Sequence, residues 1–309
     1  MSSAIRIENL YKHFGWRQKK RVQAVKNLNL EVAAGQVYGF LGPNGAGKTT
    51  TIRMLLDLIR PTQGDVYLFD KHVRNERDVL HRVGSLVEGA SFYDFLTGRR
   101  NLEIFGLTSN LDLRPERIDE VLALVDMKDR ASRRVKGYST GMKQRLGIAA
   151  AMLADPDLLI LDEPANGLDP QGIAEIRGLV RKLADEYGKT IFLSSHQLGE
   201  VEQVCDRVAI INKGQLLREG RVTELVAETA QFRLRAKPLD RAAAVINEHW
   251  SCTPLPNDIL LIDAGEETIP IMVKKLVDNH IQVYEVSPYR QSLEDYFLSV
   301  TEGENSHVG

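Results

Sequence analysis

The chain has 309 residues, 43% of them apolar and 27% charged, with a net charge of −2. That is length for one large domain and a smaller one, with apolar content enough for a sizeable core. The near-neutral balance supplies no strong field and argues against a nucleic-acid partner.

Ala4 to Leu10 alternates polar and apolar residues and predicts a strand. Tyr11, Phe14 and Trp16 follow, then a basic stretch of Arg17, Lys19, Lys20 and Arg21 that reads as a solvated hairpin tip. Val22 to Val32 resumes the strand alternation. Val37 to Leu41 is a short apolar run of the kind buried in a parallel sheet. Next comes Gly42-Pro43-Asn44-Gly45-Ala46-Gly47-Lys48-Thr49-Thr50, which fits GxxxxGK[ST]. Thr51 to Arg60 carries Ile52, Leu55, Leu56 and Ile59 at helical spacing, and Pro61 predicts its stop.

Strand, glycine-rich turn and helix together make a phosphate cradle. Phosphate oxygens must approach backbone N–H groups closely, and glycine leaves room and tolerates the unusual torsions. The new helix points unpaired N–H groups and its positive dipole end at the anion. Lys48 is placed to reach the outer phosphates, and the Thr49 hydroxyl to ligate Mg²⁺.

Asp65 to Asp70 and Val83 to Val87 predict two further strands. From about Ser91 to Pro156 the composition turns helical. Thr97 is a candidate cap for a helix through Asn101, Leu102, Ile104 and Phe105. Pro115 opens another, with Ile118, Val121, Leu122 and Val125 on one face. Tyr138-Ser139-Thr140-Gly141-Met142-Lys143-Gln144-Arg145 leads into a helix predicted to end at Leu153. Leu158 to Leu161 is a second apolar strand, ending in Asp162-Glu163-Pro164. After the turn at Asn166 to Pro170, a helix is expected from about Gln171 to Tyr187, with Gly188 ending it. Thr190 to Leu193 is a third apolar strand, followed by Ser194-Ser195-His196. Val208 to Ile211 and Gln215 to Glu219 form a hairpin around Asn212-Lys213-Gly214.

Near Ala230 the motif-bearing part ends. Strands are expected at Gln231–Ala236, Asp258–Asp263 and Ile281–Val286. Helices are expected at Leu239–His249, Thr268–Asn279 and Ser292–Val300. The result is a small α+β appendage in the order βαβαβα. Met1 to Leu10 carries no basic-then-apolar leader, and no apolar run approaches the roughly 18 residues of a membrane span, so the protein itself is expected to be soluble. Cys205 and Cys252 lack metal or redox spacing, suit a reducing compartment and read as small core or surface residues.

Apolar strands alternating with helices imply a parallel sheet, whose ligands gather at the carboxyl ends of its strands. The glycine-rich loop, the acidic pair and His196 all sit at such ends. Asp162 is therefore placed to hold Mg²⁺, and Glu163 to polarise a water attacking the γ-phosphate. Phosphoryl transfer is mainly positioning and charge neutralisation, so a lysine, a metal and a base suffice in outline.

Over residues 4–228 the chain resembles the ATP-binding subunits of ABC transporters. The glycine-rich loop, Leu158 to Pro164, Gly167-Leu168-Asp169 and His196 occur in that family's order. Ser139-Thr140-Gly141-Met142-Lys143-Gln144 resembles the ABC signature, LSGGQ in its common form; Tyr138, Thr140 and Met142 depart from that form. The resemblance implies an α/β fold: a P-loop ABC ATPase core over residues 1–229 with a mixed sheet and a helical subdomain at about 89–156. A small α+β C-terminal domain over 230–309 completes it.

The resemblance also implies ATP and Mg²⁺ as cofactors and an ATP-sandwich dimer, most simply a homodimer. Ser139 and Gly141 would bind the γ-phosphate held by the other subunit's loop. Asp169 would lie in the dimer-communication loop, and His196 would be the switch histidine. Phe14 matches the aromatic that stacks on adenine, with Tyr11 and Trp16 as rivals and core packing as the plain alternative. Glu88 stands where most cassettes have a metal-ligating glutamine; a carboxylate is also a hard oxygen ligand, and exposure to solvent is the other reading.

Val83 to Leu102 and Ser139 to Ile148 are similar to bacitracin- and lantibiotic-export ATPases, and the appendage, with Tyr284 to Val286 and Ser292 to Leu298, resembles the C-terminal extension of these and other drug-export ATPases. The expected function is ATP hydrolysis powering a separate integral-membrane permease from the cytoplasmic face of the membrane, with export of a drug, peptide antibiotic or lipid-like compound. The alternatives are an ABC protein acting on ribosomes or DNA, or a nucleotide-dependent regulatory subunit. The former usually carry two cassettes or a long coiled coil, and Glu163 argues against the latter.

Overall fold

The computed structural model describes residues 3–15, 22–89, 91–109, 111, 114–226, 231–289 and 293. Trp16 and the basic stretch after it lie outside these residues. The chain forms two compact units, Met1–Val222 and Thr223–Gly309.

In the first unit, β1 (Ser3–Phe14) pairs antiparallel with β2 (Val22–Ala33). The fully buried β3 (Val37–Leu41) runs through the Gly42–Gly47 loop into α1 (Lys48–Leu55). The chain then adds β4 (Gln63–Leu68) and the short β5 (Lys71–His72), giving a four-stranded antiparallel sheet of order β2-β1-β4-β5. After a 3-10 turn at Arg77–Arg82 come β6 (Val83–Leu86), α2 (Gly98–Thr108), α3 (Pro115–Leu124) and α4 (Thr140–Ala151). These three helices pack on one another. The predicted cap is made, with Thr97 Oγ1 accepting from Arg100 N at 3.2 Å.

The chain returns through β7 (Leu158–Asp162), α5 (Pro170–Asp185), β8 (Thr190–Ser195), α6 (Leu198–Glu202), β9 (Arg207–Asn212) and β10 (Gln215–Arg221) to α7 (Val222–Leu225). The second sheet has six strands in the order β10-β9-β3-β8-β7-β6. Its pairs are parallel except for the β9–β10 hairpin. β3, β7 and β8 are buried at every residue, because both faces of a parallel sheet are covered. One core joins Ile5, Val32 and Leu68 of the first sheet to Ile52 and Leu55 of α1 and to Phe40, Ile160 and Phe192 of the second. α1 contacts β2, β4 and β7, so the helix that follows the glycine-rich loop is held from both sheets. Fully burying one such side chain contributes about 1.5–3 kcal/mol, more than the ~0–1 kcal/mol of a surface ion pair.

α1 ends at Leu55, five residues before the expected Arg60. Asp57 takes a left-handed φ of 53°, and Leu58 N bonds back to Arg53 O at 2.9 Å. That closes the helix as a Schellman-type turn, usually a glycine's task; the aspartate hid the stop from a search for Gly or Pro.

The second unit runs β11 (Gln231–Lys237), α8 (Leu239–Asn247), β12 (Ser251–Leu255), β13 (Ile259–Asp263), α9 (Ile269–Asp278) and β14 (Gln282–Pro288). Its sheet is antiparallel, in the order β12-β13-β11-β14. The described order is βαββαβ, which corrects the expected βαβαβα by one strand. β12 escaped notice because Pro254 interrupts it, and a strand tolerates proline at the sheet edge, where β12 lies. The helix expected at Ser292–Val300 falls outside the described residues except for Leu293, which is helical and buried.

Leu234, Ile246, Leu260, Ile262, Met272 and Leu276 form a core of this unit's own. A truncation lacking residues 230–309 is therefore expected to fold and bind nucleotide like the full chain. Thermal melts and equilibrium ATP binding check this; a folded truncation that no longer binds ATP would contradict it.

Candidate nucleotide site

The glycine-rich loop is locked into the fold at both ends. At its start, Gly42 N donates to Ser195 O at the end of β8, at 3.3 Å. At its end, Gly47 has φ 105°, and a Cβ there would lie 2.5 Å from the Ala24 carbonyl oxygen. Any other residue at Gly47 forces the loop away from β2. Gly47 also occupies the cap position of α1 without a side-chain acceptor. The first-turn N–H groups are thus left for an anion.

Lys48 is buried, at 6% exposure. Its Nζ donates to Gly42 O at 2.6 Å and Pro43 O at 3.3 Å, and lies 3.1 Å from Glu163 Oε1. His196 Nδ1 lies 2.7 Å from Glu163 Oε2, so both oxygens of that carboxylate are engaged. Thr49 Oγ1 donates to Asp162 Oδ2 at 2.9 Å. Lys48, Thr49, Thr50, Glu163 and His196 line a cavity of about 310 Å³ together with Asn44, Gly45 and Gly47. Pro43 meets Lys48 through its carbonyl, and Ala46 closes the loop, its N–H on Pro43 O at 3.1 Å.

Three further residues, to which the sequence assigns no site role, share this region. Ala24 and Asn166 line the same cavity, and Ser194 bridges the acidic pair. Glu200, on α6, lies near Glu163. Burial pushes its carboxyl above the ordinary range, the charges of Arg177 and His196 pull it down, and Glu163 pushes it up.

Ser139, Gly141 and Asp169 are not in that cavity. They line a separate open hollow of about 430 Å³ with Thr140, Arg145, Gly167 and Glu175. Ser139 caps α4, its Oγ accepting from Met142 N at 3.2 Å. Asp169 caps α5 through Gly172 N at 2.8 Å. Arg145 NH2 reaches Glu175 Oε2 at 2.6 Å and ties the two helices together.

Phe14 is 43% exposed at the end of β1, with Lys12 Nζ 4.9 Å from its ring centre. Tyr11 instead stacks on His13, centroids 6.5 Å apart, and Trp16 is outside the described residues. Glu88 turns to Arg53 of α1, Oε1 to NH2 2.5 Å, in a pair 58% and 38% exposed. Among the contacts described, it does not join Thr49 and Asp162. Both cysteines carry free thiols, Cys205 buried and Cys252 half-buried. Among the described residues, no helix is long and apolar enough to cross a membrane.

Known proteins are similar to this chain. The family described as ABC transporter matches residues 25–166. The bacitracin transport ATP-binding protein BcrA of Bacillus licheniformis is 40% identical over 98% of this chain and 99% of its own length. A daunorubicin resistance ATP-binding protein of Streptomyces coeruleorubidus is 35% identical over 97% and 96%. Among solved structures, the dimeric post-hydrolysis state of an ATP-binding cassette bound to ADP and Pi superposes with a TM-score of 0.63 at 25% identity, covering 71% of this chain and 98% of that one.

The chain belongs to the ABC transporter family. Within it, this protein is an ATP-binding subunit with ATPase activity.

Proposed function

We propose that the chain works in pairs, hydrolysing ATP at two shared sites to drive a separate integral-membrane permease from the cytoplasmic face of the membrane. The observation that carries this reading is the division of the predicted site. Lys48, Thr49, Asp162, Glu163 and His196 converge, whereas Ser139 and Gly141 line another hollow. Two copies facing each other give each cavity the capped N-terminus of α4, which suits an anion. The dimeric cassette holding ADP and Pi agrees with this arrangement.

ATP enters with its phosphates on the N–H groups of the loop, its adenine toward Phe14. Lys48 moves from Glu163 Oε1 to the β- and γ-phosphates, which leaves that oxygen free to orient a water. The water attacks phosphorus, Glu163 takes its proton, and the bond to the ADP oxygen breaks to release phosphate. His196 holds the other carboxylate oxygen and keeps Glu163 aimed. Thr49 Oγ1 and Asp162 form a pair of hard oxygens of the kind Mg²⁺ takes. Bound there, the ion supplies neutralisation of phosphate charge.

The named relatives act in bacitracin transport and daunorubicin resistance, which favours export of a drug, peptide antibiotic or lipid-like compound. A groove of about 550 Å³ beside Gly89, lined by Leu80, Val87, Phe105 and Leu153, is the surface assigned to the permease. Phosphate release by the chain co-purified with its permease, with and without candidate cargo, tests the coupling. Turnover indifferent to the permease would contradict it.

Glu88 serves coupling and not base chemistry in this account. An exposed pair such as Glu88–Arg53 contributes only ~0–1 kcal/mol, and glutamine keeps a side-chain oxygen that Arg53 can reach. Glu88→Gln should therefore retain ATP binding and most basal hydrolysis. If the isolated subunit loses as much turnover through Glu88→Gln as through Glu163→Gln, this division of roles is wrong.

A further inference from the structure

Ser194 sits near the end of β8 at 0% exposure. The parallel register sets it opposite Asp162 of β7 on one side and Phe40 of β3 on the other. Its neighbour one pleat back on the same face is Phe192, which belongs to the apolar core. A small apolar residue is the ordinary choice at such a place, yet the chain puts a hydroxyl there.

Both capacities of that hydroxyl are used on the acidic pair. Ser194 Oγ donates to Asp162 Oδ1 at 2.6 Å and accepts from Glu163 N at 3.0 Å. Asp162 spends its other oxygen on Thr49, so its carboxylate plane is fixed from two sides. Glu163 is harder to hold. Its backbone takes φ 49°, a left-handed conformation that L side chains avoid unless their surroundings enforce it. In a relaxed extended backbone its side chain would leave Lys48 and His196. Two bonds hold the peptide in that turn: Glu163 N donates to Ser194 Oγ, and Glu163 O accepts from Asn166 N at 3.1 Å. The same strand end holds the glycine-rich loop through Ser195 O, so one strand sets both halves of the site.

We propose that Ser194 is a positioning residue for hydrolysis: its single hydroxyl orients the Asp162 carboxylate for the metal and holds the Glu163 backbone so that its carboxylate faces the attacking water. This rests on the roles proposed above for Asp162 and Glu163. Ser194→Ala removes one oxygen and takes away the partner of Asp162 Oδ1 and of Glu163 N.

The test compares Ser194→Ala, Glu163→Gln and the unaltered full-length protein in phosphate release, in fluorescent ATP-analogue binding with Mg²⁺ and with EDTA, and in thermal melts. For Ser194→Ala, kcat should fall about 10- to 100-fold, less than for loss of the base itself, with KM changed less than about threefold. The gain in nucleotide affinity brought by Mg²⁺ should shrink, while affinity in EDTA stays as in the unaltered protein. General structural damage would instead lower both affinities. If Ser194→Ala is too unstable to purify, Ser194→Cys, which fills the space with a larger atom and bonds only weakly, must show the same split.

Unchanged kcat in a folded variant would overturn the inference, as would equal loss of affinity with and without the metal. If Glu163→Gln is impaired and Ser194→Ala is not, the inference alone fails. If Glu163→Gln hydrolyses normally, the reading beneath it fails.

Discussion

Glu163→Gln should bind ATP at least as well as the unaltered protein and hydrolyse it about 10²–10⁴-fold more slowly, a barrier increase of roughly 3–5 kcal/mol. Glutamine keeps the shape and one oxygen but cannot accept the proton of the attacking water. Binding should not suffer, because the carboxylate lost is the one lying 3.1 Å from Lys48 Nζ. Without it, the lysine has one fewer anion competing with phosphate. Steady-state phosphate release and equilibrium ATP binding, measured on one preparation, check both halves. Normal turnover would remove Glu163 as the base.

Lys48→Ala acts at the preceding step. A hydrogen bond to a charged group contributes about 1.5–3 kcal/mol, so losing one or two phosphate contacts should weaken ATP binding at least tenfold. Turnover should become undetectable, since the lysine also neutralises charge on the phosphoryl group in flight. The substitution has a structural side as well. Lys48 Nζ bonds the carbonyls of Gly42 and Pro43, which face inward and lose a donor. Thermal melts separate loop damage from lost phosphate contact. A stable Lys48→Ala variant with normal affinity would refute the site.

Much of this architecture was legible because its elements obey simple periods. Leu158 to Leu161 and Thr190 to Leu193 are unbroken apolar runs, and both became strands buried on two faces. Thr97, Pro115 and Gly188 marked helix ends by local chemistry alone. Local chemistry also misled: Asp57 ends α1 in a conformation that glycine normally supplies, and the edge position of β12 excuses its proline. In the candidate site, Lys48 and Thr49 were visible from the glycine-rich motif, and Asp162, Glu163 and His196 from their places at strand ends. Ser194 was quoted only as part of a strand end. Its importance depends on the register that sets it against Asp162, a pairing between segments distant in the chain. Nor does sequence say which way an exposed glutamate turns, and Glu88 turns to Arg53.

In the proposed dimer, each chain holds two half-sites that only a second copy completes. The direct measurement is the mass of Glu163→Gln in solution with saturating ATP and Mg²⁺, by size-exclusion chromatography with light scattering. In that dimer, slowed hydrolysis would keep the γ-phosphate in place between the glycine-rich loop of one copy and Ser139 and Gly141 of the other. A dimer with ATP and a monomer with ADP are expected. A monomer at high protein concentration, with ATP demonstrably bound, would contradict it.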